Sequence, residues 1–455
     1  MFLLGGYMSG FMSLPFHGAS ENQIATPAEM FAQMAQALVY QWPGKLAFAC
    51  GAAALCVIYL LLRRTVEKHS ARGTAAFLIL ALAIGMGIFF VRDAIGTPKH
   101  KKENQEAYAH GFYVVSQRMP TAKSFVIAYA NDRESLHKDW VLHIWSNMPG
   151  KTLLYYAFVR IGLNLKGIEE VNILLSALAA APLFFVARRL FSARVAAGAV
   201  LLFYLFPGVP GVFPAFNTMT ALFAMVGLGL ALVCLDRKDP AIGVLTGIYL
   251  ALFFLYEPLP FVLVLFLLPY IWRAFRRDAV ATGVMLAGMA IGFAGFFVGF
   301  YFWSGVSIIK ISLDTIRCAQ QFNVEFHRAY APHLLVNVVE FSRSIGGVAF
   351  ILMAFGISRS GRELFSRGGS FFRRFFVETP ATQAVGVFAF LVMTAVLEFS
   401  GANRAETWRL WVFLMPLAGA CAIWGAEKLE LEGRMPFVVG LLCAQGILAH
   451  IGLMT

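Results

Sequence analysis

The sequence predicts an all-α polytopic membrane protein, with about twelve transmembrane helices and a long outer-face loop that contains short juxtamembrane helices. Three observations predict it. Across 455 residues the chain is 59% hydrophobic and only 14% charged, and its mean hydropathy of +0.71 excludes a soluble globular protein. Apolar runs long enough to cross a bilayer, or nearly so, recur along most of its length. Arginine and lysine collect in alternate short loops, the arrangement that fixes orientation in a membrane.

Residues 1–44 form an N-terminal segment. Within it Thr26, Pro27 and Glu29 make a helix start, with Thr26 as N-cap and Pro27 at the first helical position. Met30, Phe31, Met34 and Leu38 follow on one face, as in a helix lying in the interface. The first twenty residues have no basic cluster or small-residue cleavage site, so no cleaved signal peptide is expected. Residues 45–92 hold the first two spans, with runs beginning at Lys45 and Ala75. Residues 93–170 are a polar insert with no run of crossing length, and 171–455 hold spans three to twelve. These begin at Val171, Val195, Met219, Ala241, Leu259, Val280, Leu334, Ala381, Leu410 and Pro436. The stretch LYEPLPF leaves open whether the runs at Ala241 and Leu259 stay separate.

If Arg63, Arg64, Lys68 and Arg72 are cytoplasmic, alternation puts Arg188, Arg189 and Arg194 on the same side. Arg237 and Lys238, Arg273, Arg276 and Arg277, and the arginines from 359 to 374 join them. The insert, the connections 304–333 and 400–408, and both termini then face outward. The net charge of +12 is scattered at the ends of apolar runs and forms no extended basic face, so no nucleic-acid partner is expected, only membrane lipids. Five of the six cysteines lie inside apolar runs, with neither disulfide nor metal-ligand spacing.

Inside the insert, residues 103–117 (ENQEAYAHGFYVVSQ) suit a short amphipathic helix. Residues 147–163 (NMPGKTLLYYAFVRIGL) open on Pro149 and Gly150 and run along the outer face. A span then ends in the arginine-rich cap Arg188, Arg189, Leu190, Phe191. In this order, Glu106 with Tyr108, Pro149 with Gly150, and the cap, the chain resembles the GT-C superfamily of polytopic glycosyltransferases that use polyprenyl-phosphate-linked sugars. The aminoarabinose transferase of lipid A and the protein O-mannosyltransferases are the members it is most like. Residues 401–416 (GANRAETWRLWVFLMP) resemble a late outer-loop motif of that superfamily. Two features depart from it: an extra span precedes the acidic loop, and the usual aspartate–glutamate pair reads Gln105–Glu106.

The resemblance implies an integral membrane glycosyltransferase of the bacterial cytoplasmic (inner) membrane, acting at the periplasmic or outer face. It would move a hexose or pentose from a polyprenyl-phosphate donor to the hydroxyl of an envelope glycan, lipid or protein acceptor, with inversion. Such transfer needs a carboxylate to take the hydroxyl proton and cations to hold the departing phosphate. Glu106 is the first candidate for the carboxylate, then Asp139 and Asp132. Arg409, with Arg404 one loop turn away, is the first candidate for the phosphate. Equally, Arg409 pairs with Glu406 or Glu398 or snorkels to the interface; Glu406 as an orienting partner fits both readings.

Lys151, in the first turn of the helix that Pro149 and Gly150 open, either meets an anion or anchors the helix to lipid headgroups. No cofactor is required by the pattern. A divalent metal, Mg or Mn, is compatible with the family, and His110 and His143 are ordinary loop histidines or ligands, without diagnostic spacing. The proline-rich stretch 206–217 (FPGVPGVFPAFN) either lines a groove for a lipid tail or is a plain turn. Two other functions fit the span count: a multi-span transporter or lipid-linked glycan flippase, and a non-enzymatic scaffold. Against the former, the first cytoplasmic loop lacks the glycine and aspartate pattern of the major facilitators.

Overall fold

The computed structural model describes residues 27–68, 70–95, 109–131, 144, 146–211, 213, 215–365, 371–377, 382–404, 406–429 and 431–450, and every regular element among them is helical. Helix α1 (Pro27–Glu67) begins at the proline expected at a first helical position, and α2 (Ala71–Ile95) returns from it. The insert supplies α3 (Gly111–Arg118), α4 (Ala122–Asn131) and α5 (Gly150–Arg160), of 8, 10 and 11 residues. At ~1.5 Å per residue none spans a hydrocarbon core about 30 Å thick.

Helices α6 (Leu165–Leu178) and α7 (Ala180–Leu190) form the next span, and α8 (Ala193–Leu205) turns back. Beyond the proline-rich stretch come α9 (Thr220–Arg237), α10 (Pro240–Tyr256), α11 (Leu263–Arg277) and α12 (Ala279–Ser304). Short polar caps restart the chain after tight turns. Asn164 accepts from the Gly167 amide, Ser192 from Val195, Asp239 from Ala241 and Asp278 from Ala281. Helices α13 (Ile308–Glu325) and α14 (Tyr330–Ile345) lead to α15 (Gly347–Phe365). Then follow α16 (Phe371–Phe376), α17 (Thr382–Phe399), α18 (Met415–Lys428) and α19 (Met435–His450).

A helix stands at each of the twelve expected positions, and the chain is an all-helical, multi-pass membrane protein. Among the described residues fewer than twelve helices have full crossing length. Six do: Pro43–Glu67, Ala71–Ala94, Leu165–Leu190, Phe216–Arg237, Leu259–Arg277 and Ala279–Ser304. Four shorter apolar helices, Ala193–Leu205, Pro240–Tyr256, Gln383–Phe399 and Met435–Ala449, accompany them. The run expected from Leu334 is broken: α14 and α15 meet at 112°, which gives a seventh crossing only if the bent pair counts as one. Gly346 makes that corner at φ +83°, and a Cβ there would lie 1.7 Å from Gln445 Nε2.

Ion pairs tie the basic helix ends together on one face. Arg194 meets Glu67 at 2.5 Å and Glu427 at 3.8 Å, Lys238 meets Asp278 at 3.3 Å, Lys428 meets Glu363 at 2.9 Å, and Arg189 pairs with Asp236. These are the ends that charge alternation placed on the cytoplasmic side. The opposite face carries the insert helices, α13 and the turn after α17: Lys310 bonds the Ala130 carbonyl and Tyr330 that of Phe399.

Helices α10 and α12 cross with their backbones in contact, because each carries a pair of glycines four residues apart. A Cβ on Gly247 would stand 2.0 Å from the Met289 carbonyl oxygen, and one on Gly292 2.1 Å from that of Val244. Gly243 and Gly288 meet Met285 and Pro240 in the same way, at 2.6 Å each. This is small-residue packing, which replaces the hydrophobic driving force that lipid removes.

Candidate functional site

On the face that bears the insert, a cavity of about 450 Å³ opens between four stretches of chain. Ser146, Asn147 and Met148 enter from the insert, Glu257 to Leu259 from the break between α10 and α11, Thr315 to Asn323 from α13, and Ser400 to Leu410 from the turn after α17. Pro258 and Pro260 supply the second stretch: they end α10 after Tyr256 and turn Glu257 out of helical geometry. LYEPLPF therefore keeps two helices apart and delivers a carboxylate to the cavity.

Three arginines stand in the wall. Arg328 donates to Glu406 Oε1 at 3.0 Å and to the Arg404 carbonyl at 3.0 Å, and Arg404 returns a bond of 3.0 Å to the Arg328 carbonyl. Arg404 also lies over the Tyr330 ring, 5.6 Å from its centroid. Arg409, 5% exposed, donates to Asn217 Oδ1 at 3.2 Å and to Glu406. Glu406 thus joins two guanidinium groups. Burial alone would raise its pKa, but Arg409 and then Arg328 draw it down to about 2. Its backbone is held at φ +62°, a region that costs a non-glycine residue roughly 1–3 kcal/mol and that the two ion pairs offset.

Buried polar groups of α14 hold this loop from beneath. Glu340 Oε2 accepts from the Thr407 amide and hydroxyl, both at 2.8 Å, and so caps the short turn Thr407–Leu410 that carries Arg409. Asn337 donates to the Asn403 carbonyl at 3.0 Å and to Glu398 Oε2 at 3.2 Å. Both ends of the loop are thereby pinned to α14.

Behind Glu257 sits Lys151, 2% exposed, its ammonium 2.5 Å from Glu257 Oε2 and 2.9 Å from Asn147 Oδ1. Burial lowers the Lys151 pKa, and Glu257 opposes that. Pro149 and Gly150 open α5 as expected, and Gly150 allows the contact: a Cβ there would lie 2.4 Å from the Leu255 carbonyl oxygen at the end of α10.

The structure therefore brings Arg404, Arg409, Glu406 and, one layer behind, Lys151 with Pro149 and Gly150 to one place. Arg409 takes the partner foreseen for it, Glu406, while Glu398 bonds Asn337 instead. Lys151 is buried against Glu257 and is no headgroup anchor. Glu106, Tyr108, Asp132, Asp139 and His143 lie outside the described residues; His110 is exposed at the start of α3. Of the proline-rich stretch, Phe213, Ala215, Phe216 and Asn217 are buried. Its asparagine holds Arg409, and none of its described residues lines the cavity.

Arg328, Glu257 and Asn217 were missed by the sequence reading. The prolines around Glu257 and the asparagine closing the proline-rich stretch were the available signals; Arg328 has none, since its role comes from a contact with residues 76 and 78 positions away. Among the described residues no group of three or more His, Cys, Asp or Glu gathers. The two carboxylates at the cavity are each held by a cation. They do not form a donor set for a divalent ion.

No family model and no curated protein matches the chain. Among solved structures it is similar to the oligosaccharyltransferase of Archaeoglobus fulgidus, in a complex with Zn and sulfate (TM-score 0.40) and tethered with an acceptor peptide containing the NVT sequon via a disulfide bond (TM-score 0.39). Each alignment has 16% identity and covers 67% of this chain but 44% and 46% of the other. The chain spans less than half of the length it is matched to. A likeness so loose decides neither family nor activity, and the residues of the cavity carry the functional reading.

Proposed function

We propose that the chain is a membrane glycosyltransferase that moves a sugar from a polyprenyl-phosphate donor to an envelope acceptor hydroxyl at the insert-bearing face, with inversion. The observation that carries this is the cluster of Arg328, Arg404 and Arg409 in one cavity with a single pair of carboxylates, Glu257 and Glu406. Among the described residues that line it, the three arginines exceed the two carboxylates by one positive charge, which suits a phosphate. Arg404 Nε is buried without a hydrogen-bond partner among the described residues, a donor for such an oxygen.

A lipid-borne donor suits the surroundings. Leu259 and Val262 line the cavity that holds the arginines, while Pro260, Phe261 and Leu263 line a wholly apolar one of about 210 Å³ between α9, α10, α11 and α12. One turn of chain separates a place for charge from a place for hydrocarbon.

In the proposed reaction the acceptor oxygen attacks the anomeric carbon as the bond from that carbon to the phosphate oxygen breaks. The phosphate leaves with the electron pair, and the arginines stabilise its gathering charge. The hydroxyl proton passes to a carboxylate. A group with a pKa of about 2 is a poor proton acceptor near neutrality, so Glu406 is assigned to orienting Arg409 and Arg328. Glu257 is neutralised by Lys151. The base is accordingly assigned to the insert: Glu106 first, then Asp139 and Asp132.

The test is sugar transfer in membranes supplied with polyprenyl-phosphate sugar, comparing Glu106→Gln, Asp139→Asn and Arg409→Ala in normally inserted protein. Loss of at least 100-fold in Arg409→Ala and in one carboxylate variant is expected, about 3 kcal/mol of transition-state stabilisation. Undiminished transfer in all three would remove the site assignment. Substrate movement across the membrane without transfer would favour the transporter reading.

A further inference from the structure

Two buried asparagines line the arginine cavity, Asn323 in the last turn of α13 and Asn403 in the turn after α17. They are 9% and 8% exposed, and neither carboxamide is hydrogen-bonded to a described residue. Their backbones, by contrast, are fixed. Helix α13 closes in a turn where the Arg328 amide donates to the Asn323 carbonyl at 2.8 Å and His327 takes a φ of +50°. The Asn403 carbonyl accepts from the Asn337 carboxamide at 3.0 Å. Arg328 and Arg404 join the two turns, each donating to the other's carbonyl at 3.0 Å.

A buried carboxamide without a partner is costly, and protein interiors rarely keep one unless something else binds it. Packing uses the main chain of both residues and leaves their side chains to the cavity. An amide carries an acceptor oxygen and two donor hydrogens, so it can serve a hydroxyl in both of that group's roles. Being uncharged, it suits the hydroxyls of a sugar better than an ammonium or a carboxylate. The placement fits as well. Asn403 directly precedes Arg404, and Asn323 is bonded through its carbonyl to Arg328. In a glycosyl phosphate the ring is attached to the phosphate itself, so a group that holds its hydroxyls must stand beside the groups that hold the phosphate.

We infer that Asn323 and Asn403 form the sugar subsite of the donor, holding hydroxyls of the transferred ring while the arginines hold its phosphate. The inference rests on the transferase reading above and names the residues that distinguish one donor from another.

The experiment is native mass spectrometry of the detergent-purified full chain titrated with polyprenyl phosphate, bare or carrying glucose, mannose or arabinose. The wild type should bind at least one sugar-bearing lipid 10-fold or more tighter than the bare one. Asn323→Ala and Asn403→Ala should each lower that preference about 10-fold, as for the loss of a hydrogen bond. Asn323→Leu and Asn403→Leu, similar in size and without hydrogen-bonding atoms, should act alike, and binding of the bare lipid shows that a variant is folded. Arg409→Ala should weaken both kinds of lipid and keep their ratio. A sugar preference that survives the asparagine substitutions, or a wild type that prefers no sugar, would overturn the inference and leave the phosphate site standing. A wild type that binds none of the lipids would overturn the inference and the transferase reading together.

Discussion

Removing either partner of the Lys151–Glu257 pair should destabilise the protein more than removing both. The two side chains are 3% and 13% exposed, at an N···O separation of 2.5 Å, and the ammonium's other acceptor is Asn147. Lys151→Met leaves Glu257 without its counter-charge, and Glu257→Gln leaves a buried ammonium on two neutral acceptors. Breaking a buried pair from one side costs about 3–5 kcal/mol, whereas exchanging both charges for neutral groups of similar volume is nearly neutral. The double variant Lys151→Met/Glu257→Gln should therefore lose less than either single one, with a coupling of at least about 2 kcal/mol. Thermal unfolding in detergent, followed by tryptophan fluorescence, reports this. A double variant that loses the sum of the two single losses would refute the reasoning. Sugar-transfer kinetics add a second discrimination. If Lys151 meets the donor phosphate directly, its KM defect persists in the double variant; if it serves Glu257, the double variant recovers.

The depressed pKa of Glu406 gives a pH signature. Its carboxylate is held near 2 in the folded chain against an ordinary 4.5, so its contribution, about 3 kcal/mol, is complete above pH 4.5 and is lost as pH falls toward 2. The stability difference between wild type and Glu406→Gln should be flat from pH 7 to 5 and shrink below 4.5; a difference that grows on acidification would contradict the ion-pair account. Gly346→Ala should lower the unfolding temperature, and Gln445→Ala in the same chain should recover only part, because the clash is relieved and the +83° φ is not; full recovery would show that the corner carries no backbone strain. Glu340→Gln keeps an acceptor for Thr407 but weakens the cap, so transfer should fall roughly 10-fold with little change in global stability; unaltered transfer would mean that α14 does not position Arg409.

The membrane architecture was legible because apolar run length and loop charge are local properties. Lys45, Ala75, Val195 and Val280 mark helices that are present, and the basic clusters at Arg63, Arg194 and Lys238 do converge on one face. What composition hid was broken geometry. The corner at Gly346 turns on one dihedral and one side chain of α19. The connection 304–333 holds a helix whose Ile308, Ile311 and Thr315 are buried at helical spacing, a pattern too polar for apolar run length to register. The crossing of α10 and α12 was signalled by Gly243, Gly247, Gly288 and Gly292, a pattern of small residues that hydropathy does not register.

The candidate site was legible where chemistry was local, as in Arg404, Glu406 and Arg409, all within one turn of chain. Its remaining members came from far apart. Glu257 meets Lys151 across 106 residues, and Asn217 meets Arg409 across 192. A sequence names the charges that burial makes expensive, but the fold decides which of them are paired.

The central claim is that acidic residues of the insert share an aqueous face with the arginine cavity. Cysteine labelling tests it most directly, with Glu106→Cys, Arg404→Cys and Arg64→Cys placed singly in a chain whose six native cysteines are replaced. A membrane-impermeant maleimide added outside sealed cells should label positions 106 and 404 and spare position 64 until the membrane is opened. Labelling of 106 and 404 from opposite sides would contradict the account.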